Sequence, residues 1–167
     1  FTSPNYPVLA NVGIDIKYNH QALIKPKQAD SFKLTELRQV PIGVLKFFPG
    51  IQFELFEQII SEKLSGVVLE TFGEGNIPSN NRPLVNSIRR ASENGAIVTV
   101  CSQCYQGTTK LGTYATSSAL KDFGAVGCYD MTTEAAVAKL YYLFSCGYSA
   151  EKIKELMETD LRGEMTK

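Results

Sequence analysis

Three short segments of this chain carry residue types that could do chemistry. The first is Glu70-Thr71-Phe72-Gly73-Glu74-Gly75-Asn76, which follows a run of apolar residues. Its two glycines allow left-handed backbone or close approach of a ligand. Asn76 offers both a donor and an acceptor, which suits the carboxamide or carboxylate of an amino acid. The same residues would serve equally as a strand-to-helix turn in which asparagine satisfies the backbone. Position 78 is Pro, so Gly73-x-Gly75 lacks the third glycine of a dinucleotide fingerprint. The second segment, Cys101-Ser102-Gln103-Cys104, has the CxxC spacing of zinc and redox sites. Zinc needs four ligands, and His20, Cys128 and Cys146 supply no second pair at a useful distance along the chain. A redox CxxC opens a helix, whereas Gly107-Thr108-Thr109 follows here. The expectation is therefore thiols that are buried or line a site, with no metal. The third segment, Asp130-Met131-Thr132-Thr133-Glu134, reads as a helix start, with Asp130 as a cap that lacks the full capping box, or Thr132 or Thr133 as the cap instead. His20 is the only histidine and no paired carboxylates stand out, so no nucleophile with an adjacent base is visible.

These segments need elements to position them. Apolar runs at 42–48, 66–69, 96–100 and 125–128 are continuous rather than alternating, as in strands buried on both faces. Between them lie helical spacings. Phe53, Phe56, Ile59, Ile60 and Leu64 define one face; Leu84, Val85, Ile88 and Ala91 define another, closed by Gly95. A short helix is expected around 117–123, one after Asp130, and a last one from Ser149. Strands separated by helices give right-handed crossovers and a parallel sheet. The expected fold class is α/β: a three-layer, Rossmann-like sandwich with a small parallel sheet of about four strands. It occupies residues 36–167, after an extended leader at 1–35. In that leader, Ile14, Ile16 and Tyr18 alternate, as do Ala22 and Ile24, which predicts a hairpin around Asn19-His20. In such a sheet ligands bind beyond the C-terminal strand ends, where all three segments fall.

Bulk properties narrow the partners. Seventeen basic residues balance seventeen acidic ones, so net charge does not draw the domain to nucleic acid or anionic lipid. No apolar run approaches the ~18 residues of a membrane span. Four cysteines are too few and too scattered for a disulfide scaffold. The chain opens on Phe1-Thr2-Ser3-Pro4, and the expectation is that an N-terminal portion precedes it.

Several motifs, in order, resemble one family. Ser3-Pro4-Asn5-Tyr6-Pro7, Leu69-Glu70-Thr71-Phe72-Gly73-Glu74-Gly75-Asn76, Cys101-Ser102-Gln103-Cys104-Tyr105-Gln106-Gly107, Tyr114-Ala115-Thr116, Asp130-Met131-Thr132-Thr133-Glu134-Ala135-Ala136 and Asp160-Leu161-Arg162-Gly163-Glu164-Met165-Thr166 are similar to the second half of type I, cytosolic-type L-asparaginases, closer to the animal branch. The resemblance covers essentially the whole chain. It implies hydrolysis of L-asparagine to L-aspartate and ammonia by threonines of an N-terminal domain outside this chain. No catalytic residue then lies in this fragment, which is expected to be inactive alone. It implies no cofactor and no metal, a cytoplasmic homo-oligomer (dimer or tetramer), and neither a nucleic-acid nor a membrane partner. Carried over by position, Asn76, Tyr114 and Ser117 are implied to border the neighbouring subunit's substrate. Ser117 stands where periplasmic relatives place a glutamate, and Tyr114 is the implied substitute. Gly75, Asn76, Ser102 and Cys104 are implied at an allosteric asparagine site. The family's arginine before that turn is Glu70 here, which would repel a carboxylate rather than hold it.

Two other readings stay open at this point. One is the asparaginase-like subunit of a tRNA-dependent amidotransferase, which shares the fold. The other is a non-catalytic module for small-ligand binding or assembly.

Overall fold

The computed structural model describes residues 5–25, 34–78, 81–112 and 115–166. Four parallel strands form the expected sheet: β3 (Ile42–Lys46), β4 (Gly66–Thr71), β5 (Ile97–Ser102) and β6 (Val126–Gly127), in spatial order β3-β4-β5-β6. Consecutive strands are spatial neighbours, so each helical connection is a crossover between adjacent parallel strands. The helices are α1 (Glu57–Glu62), preceded by a 3-10 turn at Phe53–Leu55, α2 (Arg82–Glu93), α3 (Ala115–Asp122), α4 (Thr133–Ser145) and α5 (Ala150–Met157).

The apolar runs work as predicted. Val67, Leu69, Val98 and Val100 point to one face, into a core shared with Leu84, Ile88 and Ala91 of α2 and Leu120 of α3. Val68, Ile97 and Cys101 point to the other, where Leu140 and Leu143 of α4 and Ile153 and Met157 of α5 cover them. Two cores on opposite faces of one sheet make three layers. Helix starts are capped by side chains: Asn81 accepts from Leu84 N at 3.0 Å, Thr132 from Ala135 N at 3.2 Å and Ser149 from Lys152 N at 3.3 Å. Thr132 is thus the cap of α4, one of the three candidates the sequence offers, and not Asp130 or Thr133.

The leader holds a hairpin, but not where alternation placed it. β1 (Ala10–Val12) pairs antiparallel with β2 (Ile16–Tyr18), in register Ala10 with Tyr18 and Val12 with Ile16. The chain therefore turns at Gly13-Ile14-Asp15, where Gly13 N donates to Asp15 O at 3.0 Å. Glycine and aspartate are better turn residues than Asn19-His20, and they win. Ala22 lies outside the ladder and is buried, and its carbonyl accepts from the Tyr6 hydroxyl at 2.8 Å.

Edge strand β6 is covered by the chain that precedes α3. Thr109 and Tyr129 form an antiparallel bridge, and the Thr109 hydroxyl donates to Val100 O at 2.7 Å. The crossing is so close that a Cβ on Gly127 would lie 2.4 Å from Thr109 O. Glycine is obligatory there for contact, not for its backbone angles. No described helix is long and apolar enough to cross a membrane.

The C-terminal tail is bound by charge. Lys139, on α4, is 6% exposed. Its ammonium reaches Glu164 Oε1 at 2.6 Å and donates to Thr159 O at 2.6 Å and Met157 O at 3.4 Å. Burial pushes the Glu164 carboxyl up, but Lys139 and the backbone N–H groups of Glu164, Arg162 and Leu161 outweigh it and hold its pKa at about 2. The native state favours the ionised acid, so its contribution is fully present above the ordinary carboxylate pKa and is lost as pH falls towards 2. Denaturant unfolding of wild type and Glu164→Gln should show the wild type more stable at pH 6. The gap should narrow between pH 4.5 and pH 2.5, and a gap independent of pH would refute the pairing.

Candidate functional site

The C-terminal ends of β4 and β5 are tied into one rim. Leaving β4, the chain folds back at once: Asn76 N donates to Phe72 O at 2.8 Å and Phe72 N to Asn76 O at 3.1 Å. Gly73 and Gly75 have φ of 52° and 107°, the left-handed angles that L side chains rarely adopt. Gly75 is also packed tightly, since a Cβ there would lie 3.2 Å from Leu111 Cδ2 and 3.8 Å from Ser117 Cβ. The turn keeps Gly75 and Ile77 buried and leaves Asn76 exposed between them.

The Cys101–Cys104 segment closes on this turn. The Ser102 hydroxyl donates to Gly73 O at 2.7 Å and accepts from Cys104 N at 3.0 Å. Gln103 N donates to Thr71 O at 2.9 Å. The Gln103 side chain then spans two strand ends, donating to Phe47 O at 2.6 Å and Glu70 O at 2.8 Å. Sequence reading did not single out Gln103; its place between two other polar residues gave no sign that it staples β3 to β4.

The predicted site residues divide by placement. Gly75, Asn76, Ser102 and Cys104 come together through the bonds just given. Ser117 is close by, against Gly75, but it is fully buried and its hydroxyl accepts from Gly112 N at 3.3 Å. It faces the fold rather than solvent. Tyr114 lies outside the described residues. His20 is exposed in the leader, its ring centroid 6.1 Å from that of Tyr18.

Glu70 joins the third segment to the other two. Its Oε1 accepts from the Thr133 hydroxyl at 2.6 Å and its Oε2 lies 3.1 Å from Lys46 Nζ. The carboxylate is thus paired across the sheet end, with a side chain only 17% exposed. Beneath it Cys101 is buried. Its sulfur meets not Cys104 but Cys128, one residue beyond β6 on the neighbouring strand. That thiol contact, burial and the charges of Cys128 and Glu70 push the Cys101 thiol far above the ordinary range. Cys101 stays protonated and unreactive, whereas Cys104 is exposed. Among the described residues no group of three or more His, Cys, Asp or Glu is placed to hold a metal. The rim offers backbone and amide groups of the kind that orient a small polar ligand, and among the described residues it presents no activated nucleophile.

The comparisons with known proteins bear on the whole chain. The Glutaminase/Asparaginase C-terminal domain family matches residues 41–157, and this chain belongs to it. A 60 kDa lysophospholipase of Mus musculus is 40% identical over 99% of the chain, which spans 29% of that protein. A glutamyl-tRNA(Gln) amidotransferase subunit of Pyrococcus horikoshii is 34% identical over 75% of the chain and 28% of its own length. The crystal structure of L-asparaginase I from Vibrio cholerae superposes with a TM-score of 0.89 at 41% identity, covering 99% of this chain and 49% of that one. The chain thus spans about half of that solved structure and under a third of these two curated relatives. The resemblance drawn from the motifs and the fold expected from the apolar runs both hold.

Thiol titration with an aromatic disulfide reagent should separate the four cysteines by burial. Cys104 should react at once in the native protein, and Cys101 and Cys128 only after denaturant is added. Rapid native modification of Cys101 would show that it is not sealed beneath Glu70.

Proposed function

We propose that this domain works within a longer amidohydrolase that converts L-asparagine to L-aspartate and ammonia. The nucleophile comes from a preceding domain, and residues 36–167 form the unit that assembles subunits and completes a neighbour's site. The observation that carries this reading is the exposed Asn76, held on a turn whose backbone is fixed by two left-handed glycines and by the Ser102 hydroxyl. An amide so placed can donate to a carboxylate and accept from an ammonium, the two groups common to asparagine and aspartate. Pre-fixing the turn lowers the ordering cost of binding. In this reading Tyr114 supplies a second contact, and buried Ser117 shapes the segment that carries it. The whole protein is read as a cytoplasmic homo-oligomer that needs no cofactor.

The family's effector site would fall at Gly75, Asn76, Ser102 and Cys104, and in this reading it does not work in this chain. Glu70, paired with Lys46 and Thr133, cannot clasp a carboxylate as an arginine would. Asparagine is therefore expected to have no allosteric effect through this rim.

The relative named as an amidotransferase component supports a second reading, ammonia release coupled to a tRNA-bound substrate. Equal numbers of acidic and basic residues give this domain no bulk attraction for RNA. The non-catalytic reading predicts ligand binding by the domain alone, so calorimetry with asparagine and aspartate separates it.

The test is ammonia release from L-asparagine by the longer protein and by this chain alone. The longer protein should turn over and this chain should not. Asn76→Ala in the longer protein should lower kcat/KM by about 10–100-fold, as expected for a lost charge-assisted hydrogen bond. Turnover by this chain alone would overturn the assignment. So would release of fatty acid from a lysophospholipid by the longer protein with no ammonia from asparagine.

A further inference from the structure

Beside edge strand β6 lies a cleft of about 340 Å3. It is bounded by the Thr109–Leu111 crossing, the end of α3 and the end of α5. Three lysines from three different elements line it: Lys110 on the crossing, Lys121 in the last turn of α3 and Lys154 in the last turn of α5. One carboxylate, Glu158, faces them, and its Oε1 accepts from Gly127 N at 3.3 Å. The cleft therefore carries a net charge of about +2, in a chain whose net charge is zero.

Two of these lysines are seated on glycines. A Cβ on Gly112 would lie 3.2 Å from Lys121 Cδ and 3.4 Å from its Nζ, and a Cβ on Gly124 would lie 2.9 Å from Lys154 Nζ. Both glycines have left-handed φ, 95° and 78°. The backbone thus leaves room for an ammonium to rest against each turn, where any side chain would displace it. Neither Lys121 nor Lys154 forms a salt bridge among the described residues, although the three-residue and four-residue spacings of a helix give Lys152 and Arg89 acidic partners. Lys154 is half-buried, and the Glu151 carboxylate three residues before it on α5 answers only part of its charge from outside the cleft lining. Tyr129 walls the cleft, with its backbone at φ 53° held by the Thr109 bridge. Burial, and then the Glu158 charge, push its hydroxyl above the ordinary phenol range, so it stays a proton donor. Leu111, Ala125 and Val126 supply the apolar remainder of the lining.

We infer that this cleft is a binding site for a compact multivalent anion, a phosphate group or a polycarboxylate, which Lys121 and Lys154 clasp as point charges. The helix dipoles of α3 and α5 end here with their negative poles. They offset part of the lysine charge, so a monovalent anion gains little and two or more charges are needed. The inference does not depend on the reading of the Asn76 rim.

The test titrates this chain with inorganic pyrophosphate, and separately with citrate, at low ionic strength, followed by calorimetry and by the backbone amide NMR signals of Gly124 and Tyr129. Saturable binding of either probe, with both amides shifting, is the expected result. Lys121→Gln and Lys154→Gln should each weaken it about three- to tenfold, and the double variant should abolish it. Lys152→Gln removes the same charge from α5 outside the cleft and should leave affinity within twofold. The amide spectrum of each variant reports that the fold is kept. No saturable binding of either anion at millimolar concentration would overturn the inference. Equal weakening by Lys152→Gln would overturn it too, because the attraction would then be diffuse.

Discussion

The hydrogen bond from the Ser102 hydroxyl to the Gly73 carbonyl holds the candidate site in one piece. β4 and β5 run side by side over six register pairs, ending Thr71 against Ser102. Beyond that point the ladder stops and each strand runs into a loop. A single neutral bond contributes only about 1 kcal/mol net, yet here it fixes a turn whose glycines already occupy left-handed angles. The same oxygen accepts from Cys104 N, so it couples the two loops rather than anchoring one. Gln103 repeats the device one strand over, between β3 and β4. The rim is thus an extension of the sheet built from side chains, and the exposed Asn76 inherits the rigidity of the sheet.

The polar chemistry under the rim has a second consequence. Glu70 is placed where a carboxylate-binding group would be useful, and it is acidic. Its charge is answered by Lys46 on one side and by the Thr133 hydroxyl on the other. Lys46 is largely exposed, so solvent screens that pair and its contribution to stability is small. The arrangement matters more for selectivity than for energy. A negative group, satisfied by its own neighbours, closes one approach to anions, and in the proposed function this leaves the amide of Asn76 as the recognising group. The buried Cys101 thiol below it meets Cys128 in the core and takes no part in chemistry at the surface.

Much of this was legible in the chain because burial writes a strong signal. The runs at Val67–Leu69 and Ile97–Val100 are apolar on both faces because helices cover both, and that alone led to a parallel sheet. Asn76, Ser102 and Cys104 could be placed at one end because residues following parallel strands must gather there. The misses share a physical cause. The hairpin was placed around Asn19-His20 by alternation, but turn chemistry at Gly13-Ile14-Asp15 set the register. Ser117 has the same residue type as an exposed ligand group, and only packing against Gly75 shows that it faces inward. The thiols were expected to be buried or to line a site, but that the partner of Cys101 is Cys128 follows from strand adjacency and not from any spacing in the chain. Gln103 and the lysine cleft depend on contacts between distant segments, which no local pattern encodes.

The central claim is that Asn76 serves a substrate bound to another subunit, and subunit complementation tests it most directly. Longer chains lacking the nucleophile of the preceding domain would be mixed with longer chains carrying Asn76→Ala, after dissociation and reassembly, and ammonia release from L-asparagine measured. If the amide acts across the interface, mixed oligomers contain sites with an intact nucleophile from one chain and an intact Asn76 from the other, and activity rises well above that of either parent. A mixture no more active than the sum of its parents would place Asn76 in its own subunit's site, or outside catalysis, and contradict the account.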